Sequence, residues 1–192
     1  MKDETEKKVS NLGPKSSRRF ATKLDEICTK ERLVNPKVLR TVIELAIEIA
    51  REGREGRKIG TMFVVGDEQA VLFHSRELIL DPLFGHPLEK KKIADPNMQE
   101  TIKELAQLDG AFIVSENGFV LSAARYIETN SRGIDLSMGL GSRHLAAASI
   151  SQETKAVAVV VSESSIVRII DDGKIVAAII PELWLIQETS QN

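Results

Sequence analysis

The chain has 192 residues, a formal net charge of −2 and one cysteine. That length supports a single domain with a proper core, and near-balanced charge gives no basic field for nucleic acid or for a membrane surface. No apolar run approaches the ~18 residues of a membrane helix. The charged start Met1-Lys2-Asp3-Glu4 does not read as a signal peptide, and the lone Cys28 excludes an intramolecular disulfide, so a reducing cytoplasm is the expected compartment.

In chain order, residues 1–17 read as a polar tail carrying Gly13-Pro14. A helical extension is expected over 18–56. In its first part Phe20, Leu24 and Ile27 recur at helical spacing. Asn35-Pro36 then supplies an N-cap and a first-turn proline, and Leu39, Val42, Ile43, Ala46, Ile49 and Ala50 fall on one face. Either Gly53 or Gly56 can end that helix. The remaining unit, 57–185, opens with β-rich runs over 59–65 and 70–74, joined by Gly66-Asp67-Glu68-Gln69 as a hairpin, with His74 at a strand end. Pro82 and Pro87 bracket a loop. A helix starts at Asp95-Pro96 and presents Ile102, Leu105 and Ala106. Strands over 111–115 and 119–124 flank a Glu116-Asn117-Gly118 turn. A Gly- and Ser-rich loop spans 128–140, long enough to be functional. A helix follows around Arg143, then a buried-type strand over 156–161 and a hairpin of 166–170 with 174–180 around Asp171-Asp172-Gly173. Hairpins interleaved with helices predict an α/β (α+β) fold, with helices on both faces of a mixed sheet.

Two stretches carry chemistry. In Gly139-Leu140-Gly141-Ser142-Arg143-His144-Leu145-Ala146-Ala147, a glycine-punctuated loop runs into a helix whose first turn holds an Arg-His pair. Unpaired N–H groups and the dipole attract anions there, and a guanidinium matches phosphate. In Leu108-Asp109-Gly110-Ala111-Phe112, an acid and a glycine sit at the edge of an apolar strand. An anion site facing a carboxylate is the minimum equipment for metal-assisted phosphoryl or nucleotidyl transfer. Singly, each has an ordinary explanation: Asp-Gly is common turn chemistry, and Arg-His suits a solvated helix start.

Asp109-Gly110-Ala111 and Gly141-Ser142-Arg143-His144-Leu145-Ala146-Ala147 resemble the paired signatures of the diadenylate cyclase domain. Val159-Val160-Val161-Ser162-Glu163 adds a third match at the expected distance. The resemblance covers roughly 59–180 and is greatest to the soluble archaeal-type branch, in which a stretch like Glu55-Gly56-Arg57-Lys58-Ile59-Gly60 precedes the first strand. It implies condensation of two ATP into cyclic di-AMP and two pyrophosphates, with 57–185 as the cyclase domain. The implied catalytic residues are Asp109, Arg143 and His144. Gly110, Ala111, Tyr126, Gly139, Gly141, Ser142, Arg143, His144, Ser162 and Glu163 are the implied ATP contacts, Tyr126 through backbone groups at the adenine edge. Mg²⁺ or Mn²⁺ is the implied cofactor, on Asp109 and Glu163. The twofold product requires two protomers face to face, within a homodimer or a larger homo-oligomer. The chain differs from many relatives at Leu145, where they carry a second arginine, and at Ser164, where they carry a second acid. A phosphate contact is therefore missing or supplied from elsewhere.

Other constellations carry less. Gly56-Arg57-Lys58-Ile59-Gly60-Thr61 lacks Walker spacing, and Gly139-Leu140-Gly141 lacks the third glycine of a dinucleotide fingerprint. His74 and His86 have no partners at zinc spacing, and Cys28 reads as a small core residue. The rival function is a regulatory module of the same fold that binds ATP or cyclic di-AMP without turnover.

Overall fold

The computed structural model describes residues 34–130, 140–181 and 185–188, together with 22, 25–28, 133 and 134; for 185–188 only the backbone is considered. The elements are α1 (Pro36–Glu52), β1 (Thr61–Val65), α2 (Glu68–Phe73), β2 (Ser75–Glu77), α3 (Pro96–Leu105), β3 (Ala111–Val114), β4 (Val120–Ile127), α4 (Ser142–Glu153), β5 (Val157–Val161), β6 (Val167–Asp171), β7 (Lys174–Ile180) and β8 (Leu185–Glu188). A one-turn 3₁₀ helix, Leu88–Lys90, lies between β2 and α3.

The strands form one eight-stranded sheet in the order β2-β4-β3-β1-β5-β6-β7-β8. Only β1 and β3 run parallel, Phe63 facing Phe112 in register; every other neighbouring pair is antiparallel. The sheet is mixed, as the hairpin pattern predicts.

The central strands are apolar at every position but Thr61 because both their faces are covered. Phe63 and Val65, Phe112 and Val114, and Val157, Val159 and Val161 point to the side covered by α1 and α3. Phe63 and Phe112 stack there with ring centroids 5.1 Å apart. Met62 and Val64, Ala111 and Ile113, and Ala158 and Val160 point the other way, onto Ala147, Ala148 and Ile150 of α4. Period-two alternation thus distributes each strand between two cores.

α1 follows its sequence signals closely. The Asn35 side chain caps Lys37 N–H, Pro36 occupies the first turn, and Gly53 ends the helix at φ 59° with its N–H on the Ile49 carbonyl. The face predicted for it is buried, Leu39, Val42 and Ile43 completely. α3 is capped the same way by Asp95, which accepts from Asn97 N–H at 2.9 Å.

The hairpin expected between 59–65 and 70–74 does not form. Residues 68–73 are helical, following a left-handed turn at Gly66 (φ 81°) and Asp67 (φ 42°). The physical reason is topological: β3 and β5 occupy both edges of β1, leaving no place for a hairpin partner. α2 buries only Val71 and leaves Phe73 exposed. His74 is accordingly the C-cap of α2, its N–H on the Ala70 carbonyl and its ring 3.5 Å from Glu153. Cys28 is buried in the core beneath α1, as its bland reading expects. The polar tail 1–17 lies outside the described residues, as does most of the stretch around Phe20 and Leu24.

Candidate active site

Asp109 ends the α3–β3 connection and is positioned by Gly110. That glycine adopts φ +107°, and a Cβ on it would lie 2.6 Å from the Ala124 carbonyl carbon and 2.8 Å from Arg125 N. Here β4 makes a bulge, with Ala124 itself at φ 52° and the β3–β4 register shifting. Only glycine fits against that backbone, so the Asp-Gly pair is a close-approach device as well as a turn.

Arg143 sits in the first turn of α4. Gly141 precedes the helix without a side-chain cap, and no acid occupies the first turn, where a helix carries N–H groups that have no partner within it. A Cβ on Gly141 would meet no atom within 4 Å. Packing among the described residues does not demand this glycine and leaves space beside it.

The two elements meet. Arg143 Nη2 donates to Asp109 Oδ1 at 3.0 Å across 34 residues of sequence. On its other side Nη1 lies 3.6 Å from Glu163 Oε1, at the end of β5. Gly60, just before β1, makes room for this arrangement: a Cβ there would be 2.8 Å from Arg143 Nη1 and 3.3 Å from Glu163 Cγ. Both carboxylates are largely exposed, so these ion pairs are screened and cheap to exchange.

Alongside lies a cavity of about 440 Å³, lined by Leu140 to His144, Val160 to Ser164 and Arg168. His144 forms part of its wall and is only 5% exposed. Its Nε2 lies 3.2 Å from Arg168 Nη1, and its Nδ1 is buried without a partner among the described residues. Burial, with the Arg168 and Arg143 charges added, pulls the imidazole pKa down to about 4. Burial likewise lowers the pKa of Arg168, though a guanidinium stays charged. Burial and the two neighbouring arginines thus favour the neutral imidazole at pH 7.

Residues 48–175 match the DAC family, described as DisA bacterial checkpoint controller nucleotide-binding. The chain belongs to this family. A diadenylate cyclase of Methanocaldococcus jannaschii is 51% identical over 141 residues, 73% of this chain and 44% of the relative. Another, of Haloferax volcanii, is 40% identical over 153 residues, 78% of this chain and 55% of the relative. The chain thus spans about half the length of the curated relatives it matches. Among solved structures, a double mutant of DacA from Staphylococcus aureus superposes with TM-score 0.53 at 24% identity, over 77% of this chain and 90% of that one. A hypothetical membrane spanning protein from Bacillus cereus gives the same TM-score at 20% identity, over 70% and 60%. These two share the fold. In the described part of this chain no helix is long and apolar enough to cross a membrane.

Against the DAC signatures, the structure brings Asp109, Arg143 and Glu163 together, with Gly141, Ser142 and His144 on the same cavity. Ser162 also lines it, but its hydroxyl accepts from Ile166 N–H at 3.2 Å and donates to the Ile166 carbonyl at 3.1 Å, closing its own turn. Ala111 is wholly buried between β1 and β4. Tyr126 neighbours the Gly110 contact on β4, paired with Arg76 of β2. The flanking bonds Leu78 N–H to Ala124 O and Glu128 N–H to His74 O put this pair at a hydrogen-bonded position, so the Tyr126 backbone serves the ladder. Its half-exposed ring lies 4.5 Å beneath the Arg76 guanidinium. Gly139 is outside the described residues.

Asp109 and Glu163 suit a hard divalent cation: both are exposed carboxylates directed at one guanidinium, and Mg²⁺ or Mn²⁺ takes one or two such oxygens and completes its shell with water and phosphate. Among the described residues no cluster of three or more His, Cys, Asp or Glu gathers.

Two residues escaped the sequence reading. Arg168 has one faint signal, a single charge within the apolar run Val167–Ile170. Gly60 was read only as the end of the stretch before the first strand, because its contact is with an arginine 83 positions later.

Proposed function

We propose that this chain condenses two ATP molecules into cyclic di-AMP and two pyrophosphates, in a face-to-face pair of protomers with Mg²⁺ or Mn²⁺ bound. The reading is carried by one observation: Asp109 and Arg143, remote in sequence, touch at 3.0 Å beside the uncapped start of α4. Membership in a family whose relatives are named diadenylate cyclase supports it. The working unit we assign is 57–185, with α1 packed on its sheet as a helical extension.

In this reaction each 3′-oxygen forms a bond to the α-phosphorus of the other ATP. The bond from that phosphorus to the bridging oxygen breaks, its electron pair leaves with pyrophosphate, and the hydroxyl proton departs to a carboxylate or to water. Asp109 orients the 3′-hydroxyl and accepts its proton. Arg143 exchanges its carboxylate partners for phosphate oxygens, joined by the leading N–H groups of α4 and by Ser142. The same acids, Asp109 and Glu163, would hold the divalent ion, which when bound neutralises phosphate charge and lowers the pKa of the hydroxyl. Positioning and charge neutralisation supply most of the catalysis in transfers of this kind. One site holds one ATP, so the second comes from a facing protomer.

Incubating the purified chain with ATP and Mn²⁺ and identifying products by mass tests the reading. Cyclic di-AMP with two pyrophosphates per product supports it. Bound but unconsumed ATP would favour the regulatory module instead.

A further inference from the structure

The cavity beside α4 holds a cation that no carboxylate among the described residues touches. Arg168 lies on β6, opposite Val160 of β5, on the sheet face that packs against α4. It is partly buried, and among the described residues it has no carboxylate partner. Among the described residues its side-chain partner is His144 Nε2, at 3.2 Å. A guanidinium can only donate, so Nε2 must accept, which places the imidazole proton on Nδ1. That nitrogen is itself buried and has no partner among the described residues. The ring is thus a neutral strut holding an arginine that lines the cavity.

Arg143 is in the opposite condition, with two carboxylates against its one guanidinium. Taken alone, the Asp109–Arg143–Glu163 group carries net negative charge and would repel a triphosphate. The next helical position, Leu145, adds no cation. Arg168 brings the group to neutrality, and the cost of burying its charge is recovered only when an anion arrives. A polyphosphate seated at the N-terminus of α4 is such an anion, and a planar fork suits it.

We propose that Arg168 is the second phosphate-binding arginine of this site, delivered from strand β6 and aimed by a neutral His144. His144 is then a positioning residue. The inference rests on the ATP-dependent reading above and adds the group that grips the polyphosphate.

The test is calorimetric titration of α,β-methylene ATP, whose carbon bridge prevents turnover, into wild type, Arg168→Gln and Arg168→Lys at fixed salt and Mg²⁺. Arg168→Gln is expected to weaken the analogue at least tenfold while adenosine affinity stays within twofold, and Arg168→Lys to recover part of the loss. His144→Asn should weaken the analogue as well. In that background Arg168→Gln should cost far less than in wild type, because the arginine is no longer aimed. A purely structural histidine would leave the two effects additive and overturn its positioning role. Arg168→Gln binding the analogue within twofold of a wild type that makes cyclic di-AMP would overturn the arginine assignment and leave the cyclase reading standing. A wild type that neither binds the analogue nor consumes ATP would overturn both.

Discussion

Asp109, Gly110 and His144 each give a prediction at the level of one side chain. Asp109→Asn keeps size and removes charge, so cyclic di-AMP formation should fall by ~3 orders of magnitude with the fold intact. Near-normal turnover would remove Asp109 from the chemistry. Gly110→Ala places a methyl against the Ala124 backbone at φ +107° and should cost about 2–4 kcal/mol in urea unfolding. A loss under about 1 kcal/mol would mean that the β4 bulge can yield. His144 sets a pH dependence. Its folded pKa, about 4, lies below the ordinary value of 6.5, so between those values the unfolded chain binds the extra proton. Stability from this group is complete above pH 6.5 and is lost as pH falls toward 4, by about 3 kcal/mol in all. Urea melts of wild type and His144→Gln should diverge across that window; parallel curves would contradict the buried neutral ring.

Between elements, Lys103 ties α3 to α1. Its ammonium, on α3, reaches Glu48 of α1 at 3.0 Å, Glu52 at 3.4 Å and Glu100 at 3.0 Å. Burial alone would lower its pKa, but hydrogen bonds to Glu48 and Glu100 raise it. Lys103→Met leaves three carboxylates facing one another and should cost about 2 kcal/mol, since all three retain some contact with water. The melting temperature would then drop by about 4–8 °C. An unchanged melting temperature would show that α1 and α3 do not depend on this lysine. Elements of this kind were legible wherever their signals were local. Asn35-Pro36 and Gly53 mark the two ends of α1, and Asn117-Gly118 marks the β3–β4 turn. α2 was misread because Ala70-Val71-Leu72-Phe73 is too short for period two and period 3.6 to separate. What decides it is the β1–β3 pairing, made nearly fifty residues away. Arg168 was missed for the same reason: its partner His144 is 24 positions distant, and nothing in the strand alone says that its face meets α4. Asp109 and Arg143 were legible because each lies in a short motif, whereas their contact had to be seen.

At the scale of the whole molecule, the proposed product has two identical halves, and the cavity at the start of α4 would hold one ATP of the two. Excess folded Asp109→Asn mixed with wild type should poison activity through mixed pairs, whereas independent monomers would leave wild-type turnover untouched. The most direct measurement is cyclic di-AMP formed per protomer as protein concentration is raised through the pairing equilibrium, with the product identified by mass. The account predicts specific activity rising from near zero at high dilution to a plateau once pairs are populated. Full cyclic di-AMP synthesis by a demonstrably monomeric species, with no dependence on concentration, would contradict it.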